Sequence, residues 1–294
     1  MQTIPAKTLL GSRVSGDKWF GQNYTMNIYR GCCHGCIYCD SRSDCYRTNN
    51  FDTVTAKENA LTLLERELAA KRRTGIIGTG AMSDPYNPHE KKEELTRGAL
   101  ELIERYRFGV GIATKSNLVV RDTDLLLGIS LNAPVHVKVT VTAFSDELCQ
   151  KIEPHIIPTS QRFEAVRQLS RAGIVTGILL MPVLPFITDT EENISQIVQE
   201  AHRCGARYIY PAFGVTLRDS QRAYFYERLD ETFPGMKERY IRTFGNNYEC
   251  ASPKARKLWD LFSAECRSLG ILYRMSDIIA LVRGLSPLEQ LRLF

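Results

Sequence analysis

No apolar run in this 294-residue chain approaches the roughly 20 residues that a helix needs to cross a bilayer, so a membrane-spanning protein is not expected. The N-terminus has neither a long apolar core nor a cleavage-like site. No secretory leader is read there, and a cytoplasmic location is expected. A disulfide framework fits poorly, because the nine cysteines are an odd number in a long chain. Charge of one sign is also scarce. The net charge is +5, and Lys and Arg are scattered in short clusters such as Lys71-Arg72-Arg73 and Lys91-Lys92. Each such cluster reads as a solvated helix face. The balance permits a nucleic-acid partner without the concentrated basicity of a strong electrostatic binder. No internal repeat or low-complexity tract stands out. A hydrophobic fraction of 44% is ordinary for a globular chain of one large or two small domains.

Against those absences stands one dense feature, Tyr29-Arg30-Gly31-Cys32-Cys33-His34-Gly35-Cys36-Ile37-Tyr38-Cys39. Cys32, Cys36 and Cys39 follow the spacing C-x3-C-x2-C. Three thiols on one short glycine-containing loop can wrap a compact metal centre, and soft thiolates favour iron–sulfur clusters and zinc. A [4Fe–4S] cluster normally takes four thiolates, so three would leave one iron open to a small molecule. Zinc is the main competitor. Cys33, Cys36 and Cys39 form overlapping C-x2-C pairs, and His34 or Cys45 would complete four ligands. Structural zinc sites, however, usually pair two separated knuckles, and no second knuckle follows downstream. Cys204 and Cys266 fall in helical patterns, where a free Cys is usually a small buried apolar residue.

The middle of the chain alternates strands and helices. Strands are expected at Thr25–Tyr29, Ile76-Ile77, Val110–Ala113, Val135–Thr142, Thr176–Val183 and Tyr208–Phe213. Helical spacing links Leu61, Leu64 and Leu68, then Leu95, Ala99 and Leu102, then Phe163, Val166 and Leu169, then Ile194, Ile197, Val198 and Ala201. Asp122 is expected to cap the helix that follows it. In Val135–Thr142 the valines alternate with His136, Lys138, Thr140 and Thr142, placing apolar and polar residues on opposite faces. About six strand–helix units imply a parallel α/β sheet. From about Leu217 the alternation fades, and Leu258, Leu261 and Phe262 suggest one further helix.

The cysteine spacing resembles the signature of the radical SAM superfamily. Further motifs occur in order: Gly80-Ala81-Met82-Ser83-Asp84-Pro85, Thr114-Lys115-Ser116, Val139-Thr140-Val141-Thr142, Glu153-Pro154 with Arg162, Ala172-Gly173 and Met181-Pro182-Val183. Together they are similar to the spore photoproduct lyase–related branch of that superfamily, over roughly residues 25–213. The resemblance implies a partial (β/α)6 barrel, set at residues 1–216; the fading alternation beyond it reads as a helical C-terminal extension over 217–294 packed on the barrel. Chemistry is expected at the C-terminal ends of the strands. It implies a [4Fe–4S] cluster on Cys32, Cys36 and Cys39, with S-adenosylmethionine (SAM) on the open iron. Reductive cleavage of SAM would give a 5′-deoxyadenosyl radical that abstracts hydrogen from a substrate.

By the same resemblance, Ser83 and Lys115 would contact the methionine moiety. Asp84 would face the cluster from the strand-two loop, and Thr140 would face the ribose or sulfonium. Tyr38 would stack near or hydrogen-bond the adenine, partly through its backbone. Tyr86, on the strand-two loop with Asp84, is a candidate hydrogen relay, with packing the preferred reading. The bland alternatives are an exposed loop lysine, an ordinary strand threonine and a packing tyrosine. Glu153 and Arg162 read as an ion pair pinning a helix. The chain departs from the lyase itself, which returns a hydrogen atom from a Cys three residues before the motif Asp. Here that residue is Ala81, and positions 80–83 contain no Cys. A nucleic acid or nucleotide is the leading substrate expectation, with a peptide or protein second. A one-electron donor such as flavodoxin or ferredoxin is implied. The competing class is a non-enzymatic zinc or iron–sulfur nucleic-acid-binding module.

Overall fold

The computed structural model describes residues 1–12, 19–48 and 50–285. Short strands β1 (Thr3–Ile4), β2 (Leu10–Ser12) and β3 (Tyr24–Met26) come first. Strand β4 (Tyr29–Arg30) enters the cysteine loop, and β5 (Thr55–Lys57) returns from it to lie between β1 and β4. The expected strand Thr25–Tyr29 is therefore two strands in two sheets: β4 leaves the main sheet to pair with β5. The alternation then runs α1 (Ala60–Ala69), β6 (Ile76–Thr79), α2 (Glu90–Glu93), α3 (Leu95–Arg105), β7 (Gly109–Thr114), α4 (Thr123–Ser130) and β8 (Val135–Thr140). It continues with α5 (Asp146–Ile152), α6 (Thr159–Arg171), β9 (Val175–Leu180), α7 (Glu191–Arg203) and β10 (Tyr208–Pro211). Ser145 and Thr190 cap α5 and α7 by accepting from the amides of Leu148 and Asn193. Asp122 does not cap α4; its carboxylate is taken by Arg97 at 2.9 Å and Arg121 at 2.8 Å.

The main sheet has the order β10-β9-β8-β7-β6-β3-β2. Strands β3, β6, β7, β8, β9 and β10 are parallel neighbours in chain order, and β2 adds antiparallel at one edge. Among the described residues β2 and β10 do not pair with each other, so this (β/α)6 sheet is open. Parallel neighbours need crossovers, which here are mainly helical. On β8, Val135, Val137 and Val139 join the main hydrophobic core. The opposite face turns inward: Lys138 and Thr140 border a cavity, and His136 lies beneath them with Nδ1 2.7 Å from the Tyr208 hydroxyl. Space for that tyrosine comes from Gly177 on β9, where a Cβ would stand 2.0 Å from the ring.

Past β10 the chain holds more structure than the single helix expected at Leu258. Strand β11 (Gly214–Thr216) pairs antiparallel with β12 (Glu249–Ala251), around α8 (Asp219–Thr232) and α9 (Met236–Phe244); α10 (Ala255–Ser268) and α11 (Met275–Gly284) follow. Residues 286–294, the end of the expected extension, lie outside the described residues. Leu258, Phe262 and Cys266 of α10 enter the main core. Residues of α8 and α9 pack with Cys36, Ile37 and Tyr38, and α11 packs on Phe20 and Tyr208. Cys149, Cys204, Cys250 and Cys266 are all buried. No helix among the described residues is long and apolar enough to cross a membrane.

Gly177→Ala is expected to overpack the sheet interior against Tyr208 and cost about 1–3 kcal/mol, read as a lower urea midpoint at unchanged slope. An unchanged midpoint would mean that the ring is not held there.

Candidate functional site

A cavity of about 270 Å³ opens at the C-terminal ends of the parallel strands. Its volume is near the lower end of the range for small-molecule sites, roughly 300–1,000 Å³. Cys32, Cys36 and Cys39 line it together, although the loop that carries them has little regular structure. Other segments hold that loop. The Cys32 amide donates to Phe51 O at 2.7 Å, the Ile37 amide to Ile152 O at 3.0 Å, and the His155 amide to His34 O at 3.2 Å. From the C-terminal extension, Gln221 Nε2 donates to Tyr38 O at 3.1 Å.

Across from the cysteines, Ser83, Asp84, Lys115 and Thr140 line the same cavity. Asp84 ties two strand ends together. Its carboxylate accepts from Thr114 Oγ1 at 2.7 Å, the Lys115 amide at 2.8 Å and the Tyr86 amide at 2.8 Å. Ser83 donates to Gly31 O, joining the loop after β6 to the start of the cysteine loop. The chain turns at Gly80 with φ +91°, and a Cβ there would sit 1.8 Å from Ala113 O, so only glycine fits.

Burial pushes the Cys32 thiol up to about 12, with the Asp84 carboxylate adding to the effect. Burial also raises the Cys36 thiol, while the Lys115 ammonium pulls it the other way. Such thiols become thiolates when a cation takes up their charge. For Lys115, burial favours the neutral amine, but Cys36, Glu153 and Cys39 outweigh it and hold the pKa above its ordinary value. Glu153 is opposed in the same way: burial would raise its pKa, yet Arg162, Lys115 and the Tyr38 hydroxyl hold it below the ordinary carboxylate value. The expected Glu153–Arg162 ion pair is present at 2.6 Å, with both side chains fully buried.

Two expected site residues turn their side chains away from the cavity. The Tyr38 side chain does not line the cavity; it is buried with its hydroxyl donating to Glu153. Tyr86 is 1% exposed, does not line the cavity, and lies in the hydrophobic core beside Asp122 and Glu90. That placement accords with the packing alternative for Tyr86 and gives a hydrogen relay no direct path to the cavity. Conversely, Lys138, His34, Trp19 and Met82 line the cavity without having been read as site residues for that purpose. Lys138 was legible, since it shares a face of β8 with Thr140. Trp19 was not, because it reaches the site from outside the strand–helix alternation.

The donor set fits an iron–sulfur cluster. Three thiols from one loop share the cavity, whereas Cys33 does not line it and Cys45 is exposed. His34 Nε2, buried and without a hydrogen-bond partner, belongs to another cavity-lining side chain. No group of three or more His, Cys, Asp or Glu among the described residues is gathered tightly enough to hold a single metal ion. Residues 26–200 match the family model of the Radical SAM superfamily. The chain belongs to the radical SAM superfamily.

A [4Fe–4S] cluster and SAM are accordingly its cofactors. An uncharacterised protein of Mycobacterium tuberculosis is 31% identical over 226 residues, covering 74% of this chain and 66% of that protein. One of Methanocaldococcus jannaschii is 34% identical over 179 residues, covering 60% and 66%. The chain thus spans 66% of the length of these relatives. Spore photoproduct lyase complexed with a dinucleoside spore photoproduct superimposes with a TM-score of 0.66 at 15% identity, covering 92% of this radical SAM chain and 80% of the lyase. A radical SAM methyltransferase of Kitasatospora setae with cobalamin and a [4Fe–4S] cluster gives 0.59 at 16% identity, covering 92% and 60%. At these identities the likeness is one of fold.

Arg162→Met would strand the Glu153 carboxylate in the interior and is expected to cost roughly 3–5 kcal/mol of stability. Adding Glu153→Gln should recover part of that loss in chemical denaturation. A double variant weaker than Arg162→Met would contradict the pairing.

Proposed function

We propose that the protein is a radical SAM enzyme in which reductive SAM cleavage is followed by hydrogen abstraction from a nucleic acid or nucleotide. The observation that carries this reading is the convergence of Cys32, Cys36 and Cys39 with Lys115 and Thr140 on one cavity. Bound together, the cluster and SAM supply a 5′-deoxyadenosyl radical. The three cysteines would hold the cluster. Lys115 brings a point-charge ammonium suited to the SAM carboxylate. Thr140 offers a hydroxyl from the adjoining strand end. Asp84 and Ser83 would act through the backbone, fixing the Lys115 loop and the cysteine loop. Trp19, Phe20, Leu179 and Met181 give the cavity an apolar wall, the kind of lining that keeps water from a reactive intermediate.

The substrate class is supported by the net charge of +5 and by fold likeness to a lyase solved with a dinucleoside photoproduct. Fold likeness alone is an associational warrant. Ala81 lines the cavity at the position where the lyase return route needs a Cys, which argues against that particular repair reaction. A one-electron donor of flavodoxin or ferredoxin type would serve the cluster.

Anaerobic reconstitution under dithionite should yield 5′-deoxyadenosine from SAM. Cys32→Ala, Cys36→Ala and Cys39→Ala should each abolish it, Cys33→Ala should keep most of it, and Lys115→Met should weaken SAM binding. A colourless protein holding one zinc and inert to SAM would favour the binding module. Deuterium passing from a labelled oligonucleotide or nucleotide into 5′-deoxyadenosine identifies the substrate class; label arriving only from peptides would overturn the nucleic-acid assignment.

A further inference from the structure

Behind the cavity wall lies a connected set of buried charges. Arg162 Nη1 is 2.6 Å from Glu153 Oε2 and 3.1 Å from Thr140 O. Arg162 Nε donates to Ile157 O at 3.1 Å, and Nη2 lies 3.2 Å from Cys149 Sγ. The other Glu153 oxygen accepts the Tyr38 hydroxyl. Tyr38 immediately precedes Cys39, and Thr140 ends β8 in the cavity wall. One carboxylate therefore joins the ligand loop to the strand end opposite it.

Stability does not account for such a pair. Replacing a buried ion pair with packed apolar residues is often neutral or stabilising. What distinguishes this pair is its neighbourhood. Glu153 accepts from Tyr38, which sits between Cys36 and Cys39, its partner Arg162 reaches Thr140 O in the cavity wall, and Lys115 Nζ stands 5.8 Å from the Tyr38 ring centroid. One buried cation, Arg162, one half-buried cation, Lys115, and one carboxylate thus surround Tyr38 in the Cys36–Cys39 half of the loop. Arg162 spends its donors on Glu153, on protein carbonyls and on the Cys149 sulfur, while Lys115 borders the cavity.

We infer that Glu153 is a positioning residue for the cluster: it fixes the Cys36–Cys39 half of the loop through Tyr38, and its shared negative charge sets how readily the cluster accepts an electron. The inference rests on the proposed cluster ligation. Reduction adds negative charge, so a nearby carboxylate opposes it and a cation assists it, strongly in a water-poor wall. The Tyr38 hydroxyl and Arg162 draw charge away from Glu153, which moderates its opposition.

An EPR-monitored redox titration of the anaerobically reconstituted protein tests this. Glu153→Gln should raise the midpoint potential, and Tyr38→Phe should lower it. Each change should alter the ratio of reduced to oxidised cluster at fixed poise on the order of tenfold, about 59 mV for one electron. The Tyr38→Phe/Glu153→Gln double variant should match Glu153→Gln alone, because the phenol acts through the carboxylate. Arg162→Lys, which keeps the charge, should stay near wild type. Shifts of the same sign in both single variants, as a merely loosened loop would give, overturn the inference, as do unchanged potentials. Should Glu153→Gln fail to fold, the sign of the Tyr38→Phe shift decides on its own. A wild-type protein that assembles no cluster defeats the proposed function itself; a wild-type cluster indifferent to both variants defeats only this inference.

Discussion

In-order parallel pairing is the constraint from which the site follows. Because β3, β6, β7 and β8 lie side by side and run the same way, the segments leaving their C-terminal ends emerge on one rim. The cysteine loop, the Gly80–Asp84 turn, Lys115 and Thr140 are far apart in sequence and adjacent there. Had any of these strands been inserted out of order or reversed, its loop would open on a different position or the opposite rim.

The ligand loop does not hold itself. Three partners fix it by backbone hydrogen bonds, and Ser83, Gln221 and Glu153 add side-chain anchors at Gly31, Tyr38 O and the Tyr38 hydroxyl. Asp84 does the equivalent for the opposite wall. The polar residues next to the cavity thus divide by task. Asp84, Ser83, Glu153 and Arg162 spend their hydrogen bonds on the protein, while Cys32, Cys36, Cys39 and Lys115 line the cavity. A site that binds a charged cofactor gains from this division, since groups already fixed lose little entropy when it arrives.

Much of the fold was legible because its signals are local. Period-two valines mark β8, and 3.6-period apolar residues mark α7, whose Ile194, Ile197, Val198 and Ala201 are all buried. The extension was not legible in the same way. Helix α8 carries a weak apolar pattern because its packing is divided between the cysteine loop and α9. The break between β3 and β4 was hidden too, since two short strands in different sheets read as one apolar stretch. Asp122 looked like a cap, but two arginines brought from α3 and the preceding turn compete for its carboxylate.

The sequence by itself determined that three thiols share one short loop. Three thiols at C-x3-C-x2-C spacing can reach one compact cluster whatever surrounds them, because the loop between them is short. It also determined which residues could face inward on each strand, since alternation follows from backbone geometry. Tertiary structure alone decided which inward residues meet the cavity and which serve the scaffold. Tyr38 sits within the cysteine motif and Tyr86 just after the Gly80–Pro85 motif, yet both turn into the interior, where Glu153 and the main core receive them. That choice depends on partners more than a hundred residues distant for Tyr38, and no local pattern encodes the position of a distant carboxylate.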